Sequence, residues 1–536
     1  MKQLILTIAC LSVLAAGCRK LEQPNTREFT EEAYWRDAQD ALDALTSCYE
    51  NMYGDGFYFG NEALSDNAYV AGGGFSGVSL IAGGSYDAAH ARVRAEWSYH
   101  YAAIRKCNVV VLNIGKVKQM DETLRRRIVA EARFIRAWAY FNMTDWFGSV
   151  PFYLDLISVE TARTIGRTNR DEIVRFVLEE LNAIRNDLPV NTSYAEKDRG
   201  RITRGAAIAL AARVRLWKGE WATAAQEYAL LMNGTQNGTY GLLGSYENLF
   251  KPANEFNNEV ILDLQYGGGR TYSTQRSFLP QTVALLRSVL VPTQDLVDDY
   301  IMTNGKGIRE AGSGYNENDP NVNRDPRFNA TIIHHGGTIV DFDGRTQTIL
   351  TQPGSVPATN SVDDQGASPT GYYFRKHYDP TAANYASGLN LPLIRYAEVL
   401  LGFAEAKNEQ GQLDADTWNK TIRALRVRAG FTDAGATEFP AGANQASLRD
   451  IIRRERRAEL AFEGVRAFDI RRWKIAETVL ARPVRGIKVT SGAFNKDPNG
   501  YIIVENRRFD NPKHYLWPVP TAERDQNKNL GQNPQW

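Results

Sequence analysis

The stretch from Leu448 to Lys474 concentrates the ionisable groups of this chain, reading LRDIIRRERRAELAFEGVRAFDIRRWK. At helical spacing Leu448, Ile451, Ile452, Glu455, Glu459 and Phe462 share one stripe, so two carboxylates lie among core residues. Such a pair has two uses. With one acid kept protonated beside an ionised partner it hydrolyses a glycosidic bond; clasped by guanidinium groups it is a structural ion-pair centre. Glu455 and Glu459 stand four residues apart and repel one another along their own helix, so the neutralising charges must come from elsewhere in the fold. Arg466, Arg471, Arg472 and the distant Arg395 are the candidates. Guanidinium company lowers a carboxylate's pKa and removes the proton that a general acid must hold, which favours the structural reading. No G-x-S-x-G elbow, H-E-x-x-H pair or phosphate-binding glycine loop occurs, and the six histidines offer only His334 and His335 as close neighbours. The expectation is a protein without catalytic residues, cofactor or metal.

The elements that must position these residues are mainly helical. Thr30 is a candidate N-cap for a helix carrying Trp35, Ala38, Ala41, Leu42, Leu45 and Tyr49. Glycines crowd between Ala71 and Gly84, which reads as a long loop without regular structure. Helices from about Ala91 to Leu112 and from about Asp121 to Phe141 form an antiparallel hairpin. Further periodic segments run from Asp171 to Leu188, Ile202 to Trp217, Trp221 to Met232, Ala397 to Gln410 and Asp416 to Ala429, with Gly219 and Gly411 at turns. Alternating small and large residues give these pairs the look of tetratricopeptide-type hairpins, at a spacing too irregular for a strict repeat. The fold class expected is all-α in the main: a helical scaffold at about 30–233 and 391–480, and a loop-rich excursion at about 234–390 with short strands near Val260–Leu262 and Thr331–Ile333. Loops on a rigid scaffold are where binding residues concentrate.

The bulk properties narrow the partners. Lys plus Arg number 63 against 62 Asp plus Glu, a net charge of +1, which lacks the basic footprint of a nucleic-acid binder. A hydrophobic content of 43% supports a large core, and 25 tyrosines with 10 tryptophans favour a surface suited to stacking or packing. At the start, Lys2 precedes an apolar run from Leu4 to Leu14, small residues and Cys18, too short to span a bilayer. The segment resembles a bacterial lipoprotein signal, with residues 1–17 removed, Cys18 lipidated and 18–29 serving as a tether; Ala15 stands where such signals usually carry leucine. Acyl chains on Cys18 would hold the chain on a membrane without a spanning helix. Cys48 and Cys107 then remain, either as a disulfide or as two buried thiols.

Several runs in order carry a likeness to a known family: WSYHYAAIRKCN (Trp97 to Asn108), EARFIRAWAYFNMTDWFGSVP (Glu131 to Pro151), Gly200 to Trp217, RDPRF (Arg324 to Phe328), GYYFRKHYDP (Gly371 to Pro380), PLIRYAEVLLGFAEAKNEQG (Pro392 to Gly411), Glu455 to Trp473, and the tail from Trp517 to Pro534. Over essentially its whole length the chain resembles the SusD/RagB family of surface lipoproteins of Bacteroidetes. The resemblance implies one SusD-like domain over 30–536, no catalysis, an outer-membrane location and a TonB-dependent, SusC-like barrel as partner. It also implies a glycan ligand, with a peptide as the alternative; a glycoside hydrolase is the more remote reading. By position, the family's ligand-contacting loops correspond to windows holding Asp66, Asn67, Tyr69, Tyr86 and His90, then Tyr194, then Arg270, Tyr272, Arg276 and Phe278. Trp97, Trp138 and Trp146 read as core.

Overall fold

The structure, a computed structural model, describes residues 34–536. The signal segment, Cys18, the tether and the Thr30 cap lie outside the described residues. Within them, α1 (Ala38–Glu50) is capped by Asp37, whose carboxylate accepts from the Asp40 N–H while Asp40 reaches back to the cap. Helix α2 (Asp55–Ala63) follows, then the short strand β1 (Ala68–Val70). The expected unstructured loop is corrected next. Gly74–Ala82 is helical, entered through left-handed Phe75, Ser76 and Gly77, and it ends in the apolar run Val78 to Ala82, which has a core to pack against.

The hairpins come next. Helix α3 (Ala91–Asn113) packs against α4 (Glu122–Phe147), whose N-cap Asp121 accepts from the Leu124 N–H. Then α5 (Arg170–Ile184) lies against α4, and α6 (Arg204–Lys218) turns into α7 (Trp221–Met232) through Gly219 at φ 76°, a conformation that costs glycine nothing. These helices bury nearly continuous apolar faces: Ile128, Phe134, Ile135 and Trp146 on α4, Ile208, Leu210 and Val214 on α6. Trp97, Trp138 and Trp146 are all buried, and Trp146 stacks on Trp517 of the C-terminal tail with ring centroids 4.3 Å apart. Cys48 and Cys107 are buried free thiols.

The excursion is sewn to this block by short antiparallel pairs. Strand β2 (Val260–Leu264) pairs with β4 (Leu391–Arg395), and β3 (Leu290–Pro292) pairs with β1, tying the excursion to the N-terminal block. Ile332–Ile333 pairs with Tyr373–Phe374. Helix α8 (Tyr396–Glu409) resumes the scaffold and packs on α7 and on α9 (Gln445–Leu460). The segment predicted as a helix from Asp416 to Ala429 is helical throughout, with a π turn over Asn419–Arg423. The stripe expected to continue through Phe462 breaks: Phe462 and Gly464 take φ of 64° and 71°, and α10 (Arg466–Arg472) starts in a new direction. The turn lets the Phe462 ring stack on Phe374 with ring centroids 3.7 Å apart. A two-stranded ribbon, β5 (Val484–Lys488) with β6 (Tyr501–Glu505), completes the fold. Among the described residues, no helix is long and apolar enough to cross a membrane.

Candidate ligand-binding groove

The carboxylates that opened the sequence analysis sit in the interior. Glu455 lies 2.7 Å from Arg327 and 2.7 Å from Arg426. Glu459 contacts Arg395 at 2.6 Å, Arg327 at 2.9 Å and Arg428. Arg395 also reaches Glu259 at 2.8 Å and Glu463 at 2.8 Å, and Lys376 binds Glu463 at 2.6 Å. Burial alone would raise the pKa of each glutamate, but the Arg327 and Arg426 charges outweigh it for Glu455, and those of Arg428, Arg395 and Arg327 for Glu459, leaving both carboxyls below the usual range. Burial pushes the Lys376 ammonium down to about 8 against the pull of Glu463. Neither glutamate can hold a transferable proton at neutral pH.

The sequence named some of these partners wrongly. Arg466 goes to Asp66, Nε to Oδ1 at 2.8 Å and Nη2 to Oδ2 at 3.0 Å, and Arg472 grips Glu405 at 2.6 and 2.8 Å. Arg471 pairs with no carboxylate within 4 Å among the described residues; it donates to the carbonyls of Ala467 and Leu64 and lies over Trp146. The reason is the break at Phe462, which turns these arginines away from the Glu455–Glu459 face. Arg327, Arg426 and Arg428 take their places; Arg327 stands in the RDPRF run, the one local sign of its importance.

Four of the proposed ligand contacts are corrected by burial. Asp66 is enclosed, its pKa raised by burial but lowered further by Arg457 and Arg466, so both oxygens are committed. Asn67 donates to Glu62 at 2.7 Å and accepts from Arg457 at 2.7 Å. Tyr272 and Phe278 are core residues packed on Phe59, with centroids at 5.9 and 5.3 Å, and Phe278 has no exposed surface. Periodicity could not separate these aromatics from exposed ones in an excursion without regular elements. Tyr86 is half-buried in a cluster with Trp536 and His514, at 4.7 and 5.5 Å, and the His90 ring caps α3 by accepting from the Arg92 N–H at 3.2 Å. Tyr69 is half-buried beside Glu505.

Tyr194 and Arg270 are brought together along one groove. The part beside Tyr194 has a volume of about 300 Å³ and runs between Asn191–Thr203 and Phe256–Asp263. The part beside Arg270, of about 340 Å³, continues past the end of α1 at Tyr49 and Glu50. Arg199, Gly200, Arg201 and Asp263 line both. Gly200 sits at φ 87°, and a Cβ there would come within 1.2 Å of Gln265 Nε2, which donates to the Arg199 carbonyl at 3.1 Å. Glycine is therefore what lets the two walls meet. Phe256 is 38% exposed, with the Arg199 guanidinium 5.5 Å over its ring. Arg270 lies 4.9 Å over Tyr266, whose hydroxyl donates to Asp55 Oδ1 at 3.2 Å. Tyr194 is braced by donating to the Ile202 carbonyl at 2.8 Å and by Arg127 over its ring at 5.5 Å. At the base, Asp263 is pushed up to about 7 by burial, helped by the Glu255 charge. Arg276, further along the excursion, is occupied by the Tyr385 ring at 4.4 Å.

Flat aromatic faces beside guanidinium, amide and carboxyl groups suit a ligand with apolar faces and a rim of hydroxyls. Among the described residues no group of three or more His, Cys, Asp or Glu is arranged to hold a metal ion. Comparison with known proteins places the scaffold. Residues 258–536 match the SusD family, and residues 27–216 match a family described as starch-binding and associating with the outer membrane. The chain belongs to the SusD family. It is 26% identical to SusD-like protein P2 of Formosa agariphila over 553 residues, 99% of each chain. A SusD-like carbohydrate-binding protein of Bacteroides fragilis superposes with a TM-score of 0.84 at 28% identity, covering 93% of this chain and 100% of the other. A laminarin-binding SusD-like protein shares the fold at a TM-score of 0.69 and 22% identity, with 94% and 100% covered.

Proposed function

We propose that this protein captures an oligosaccharide or polysaccharide in the groove between Tyr194 and Arg270, without cleaving it, and hands it to a TonB-dependent, SusC-like transporter in the outer membrane. A lipid on Cys18 holds it at the membrane, and the tether gives it reach. The observation that carries the reading is the groove itself, lined by Tyr194 and the partly exposed Phe256 together with the guanidinium groups of Arg199, Arg201 and Arg270. Ring faces pack on the C–H face of a sugar, and the guanidinium forks donate to its hydroxyl oxygens. Membership of the SusD family and the carbohydrate-binding relative from Bacteroides fragilis support the ligand class. The guanidinium-bound state of Glu455 and Glu459 supports binding without hydrolysis.

The test is affinity electrophoresis of the purified protein through gels containing a panel of neutral polysaccharides, with reducing-sugar release measured in parallel. Retardation by at least one glycan, no released sugar, and a loss of about tenfold in affinity in Arg270→Ala and Phe256→Ala are expected. Absence of binding across the panel, or undiminished binding in both variants, overturns the assignment of the groove.

A further inference from the structure

A second cavity, of about 560 Å³, opens between α4, α6, α10 and the C-terminal tail, and shares no lining residue with the groove. Its charges do not balance. Arg472 is neutralised by Glu405 and Asp469, and Lys218 by Glu220 at 2.5 Å. Arg170 has only a loose contact with the exposed Asp171, at 3.8 Å. Arg471, Lys474 and Lys513 have no carboxylate within 4 Å among the described residues. The remaining acid on the wall, Asp145, accepts from Trp217 Nε1 at 2.9 Å and supplies one carboxylate against Arg170, Arg471, Lys474 and Lys513.

Arg471 is the informative member. It is 6% exposed, its Nε has no hydrogen-bond partner, and its two protein bonds both leave from Nη1, toward the carbonyls of Ala467 at 2.9 Å and Leu64 at 3.5 Å. A buried guanidinium without a counter-charge carries its full desolvation cost. Elsewhere in this interior the structure meets that cost with carboxylates, as for Arg327, Arg395 and Arg456, or with several backbone carbonyls, as for Arg324. At Arg471 it leaves the fork against an open cavity whose rim carries Lys474 and Lys513. Those two ammonium groups lie over the faces of Tyr515 and Trp536, at 4.5 and 4.3 Å, which holds them at the rim.

We propose that this cavity is a binding site for an oxyanion, a carboxylate, sulfate or phosphate group, held by the Arg471 fork with Lys474 and Lys513 closing over it. The anion comes either as a free ion or as a substituent of an acidic sugar. Isothermal titration of the purified protein at constant ionic strength, set with chloride, separates these sources through three probes: sodium sulfate, sodium glucuronate and glucose. Saturable binding of sulfate or glucuronate and none of glucose is expected, with glucuronate tighter if the site serves acidic sugars and sulfate tighter if it serves a free ion. Arg471→Gln should weaken binding about tenfold or more, and so should the surface double variant Lys474→Gln/Lys513→Gln, which leaves the core intact should Arg471→Gln fail to fold. No saturable binding of either anion, or unchanged affinity in the double variant, overturns the proposal. Retention on neutral glycan gels, which reads the groove, should be the same in the double variant as in the parent protein.

Discussion

The N-terminal helical block and the excursion hold themselves together by different means. From α3 to α7 the packing is mainly apolar and mostly between helices adjacent in sequence, with Ile135, Trp146, Leu210 and Val214 fully or almost fully buried and a few local ion pairs, Arg92–Glu96 and Arg136–Glu180 among them, set within it. Hydrophobic burial of this kind is non-directional and tolerates change in volume better than change in polarity. The excursion has few long elements. It is fixed by charges that meet across long stretches of chain: Glu259 and Arg395, Arg327 and Glu459, Lys376 and Glu463. Such pairs are weak sources of net stability but strict about geometry, because removing one partner strands the other in the interior. One region is thus a packed scaffold, and the other is a set of loops placed by ion pairs where a ligand can meet them.

Breaking that contrast should have unequal consequences. The largest effect is expected for Arg395→Ala, which leaves Glu259, Glu459 and Glu463 without their shared guanidinium; a loss of about 3–5 kcal/mol is expected in denaturant unfolding. In the helical block a trim such as Ile208→Val should cost about 0.5–1.5 kcal/mol in the same measurement. A cost for Arg395→Ala no larger than that would remove the distinction.

Acid should find the excursion first. Glu459 has a folded pKa below its unfolded value, so its contribution is fully present above the unfolded value of about 4.3 and is lost as pH falls from there toward the folded pKa. Hydrogen exchange is therefore expected to show residues 321–380 losing protection at a higher pH than α4. The reverse order would mean that the ion pairs do not hold the loops.

Asp263 has the opposite sign. Its folded pKa is raised from 3.8 to about 7, so its contribution is present below about 3.8 and is lost as pH rises through about 7. Asp263→Asn should raise stability by on the order of 1–3 kcal/mol at pH 8 and by little at pH 4, which thermal unfolding at the two pH values would read. Equal effects at both would show that the groove base is not desolvated. Gly200→Ala collides with Gln265 and asks alanine to adopt φ 87°; a loss of about 1–2 kcal/mol with weakened glycan retention would tie the groove's shape to this contact. Unaltered retention would make the glycine a matter of folding alone.

Much of the scaffold was readable because helices are local. The turn at Gly219 and the periodicity of α3, α4, α6 and α7 act within a few residues, and the structure keeps their starts close to those expected. The acidic pair on α9 was legible for the same reason, since i and i+4 positions share a face. Its partners were not. Arg466, Arg471 and Arg472 are near in sequence and were natural candidates, yet left-handed Phe462 and Gly464 redirect them. Nothing in the spelling of AFEGV announces that Phe462 will leave the helix to stack on Phe374. Of the residues set toward a ligand, Tyr194 and Arg270 line the groove, whereas Tyr272 and Phe278, a few positions further on, are interior. An excursion without periodicity gives no sequence signal for which aromatic turns inward.

The sequence by itself determined most of the helices and the abundance of interior charge, because propensity and periodicity act between neighbours along the chain. Only the tertiary structure decided which arginine neutralises which glutamate, which rings line the groove and which guanidinium is left without a counter-charge, because electrostatic pairing and burial depend on distances in space that the order of residues does not encode locally.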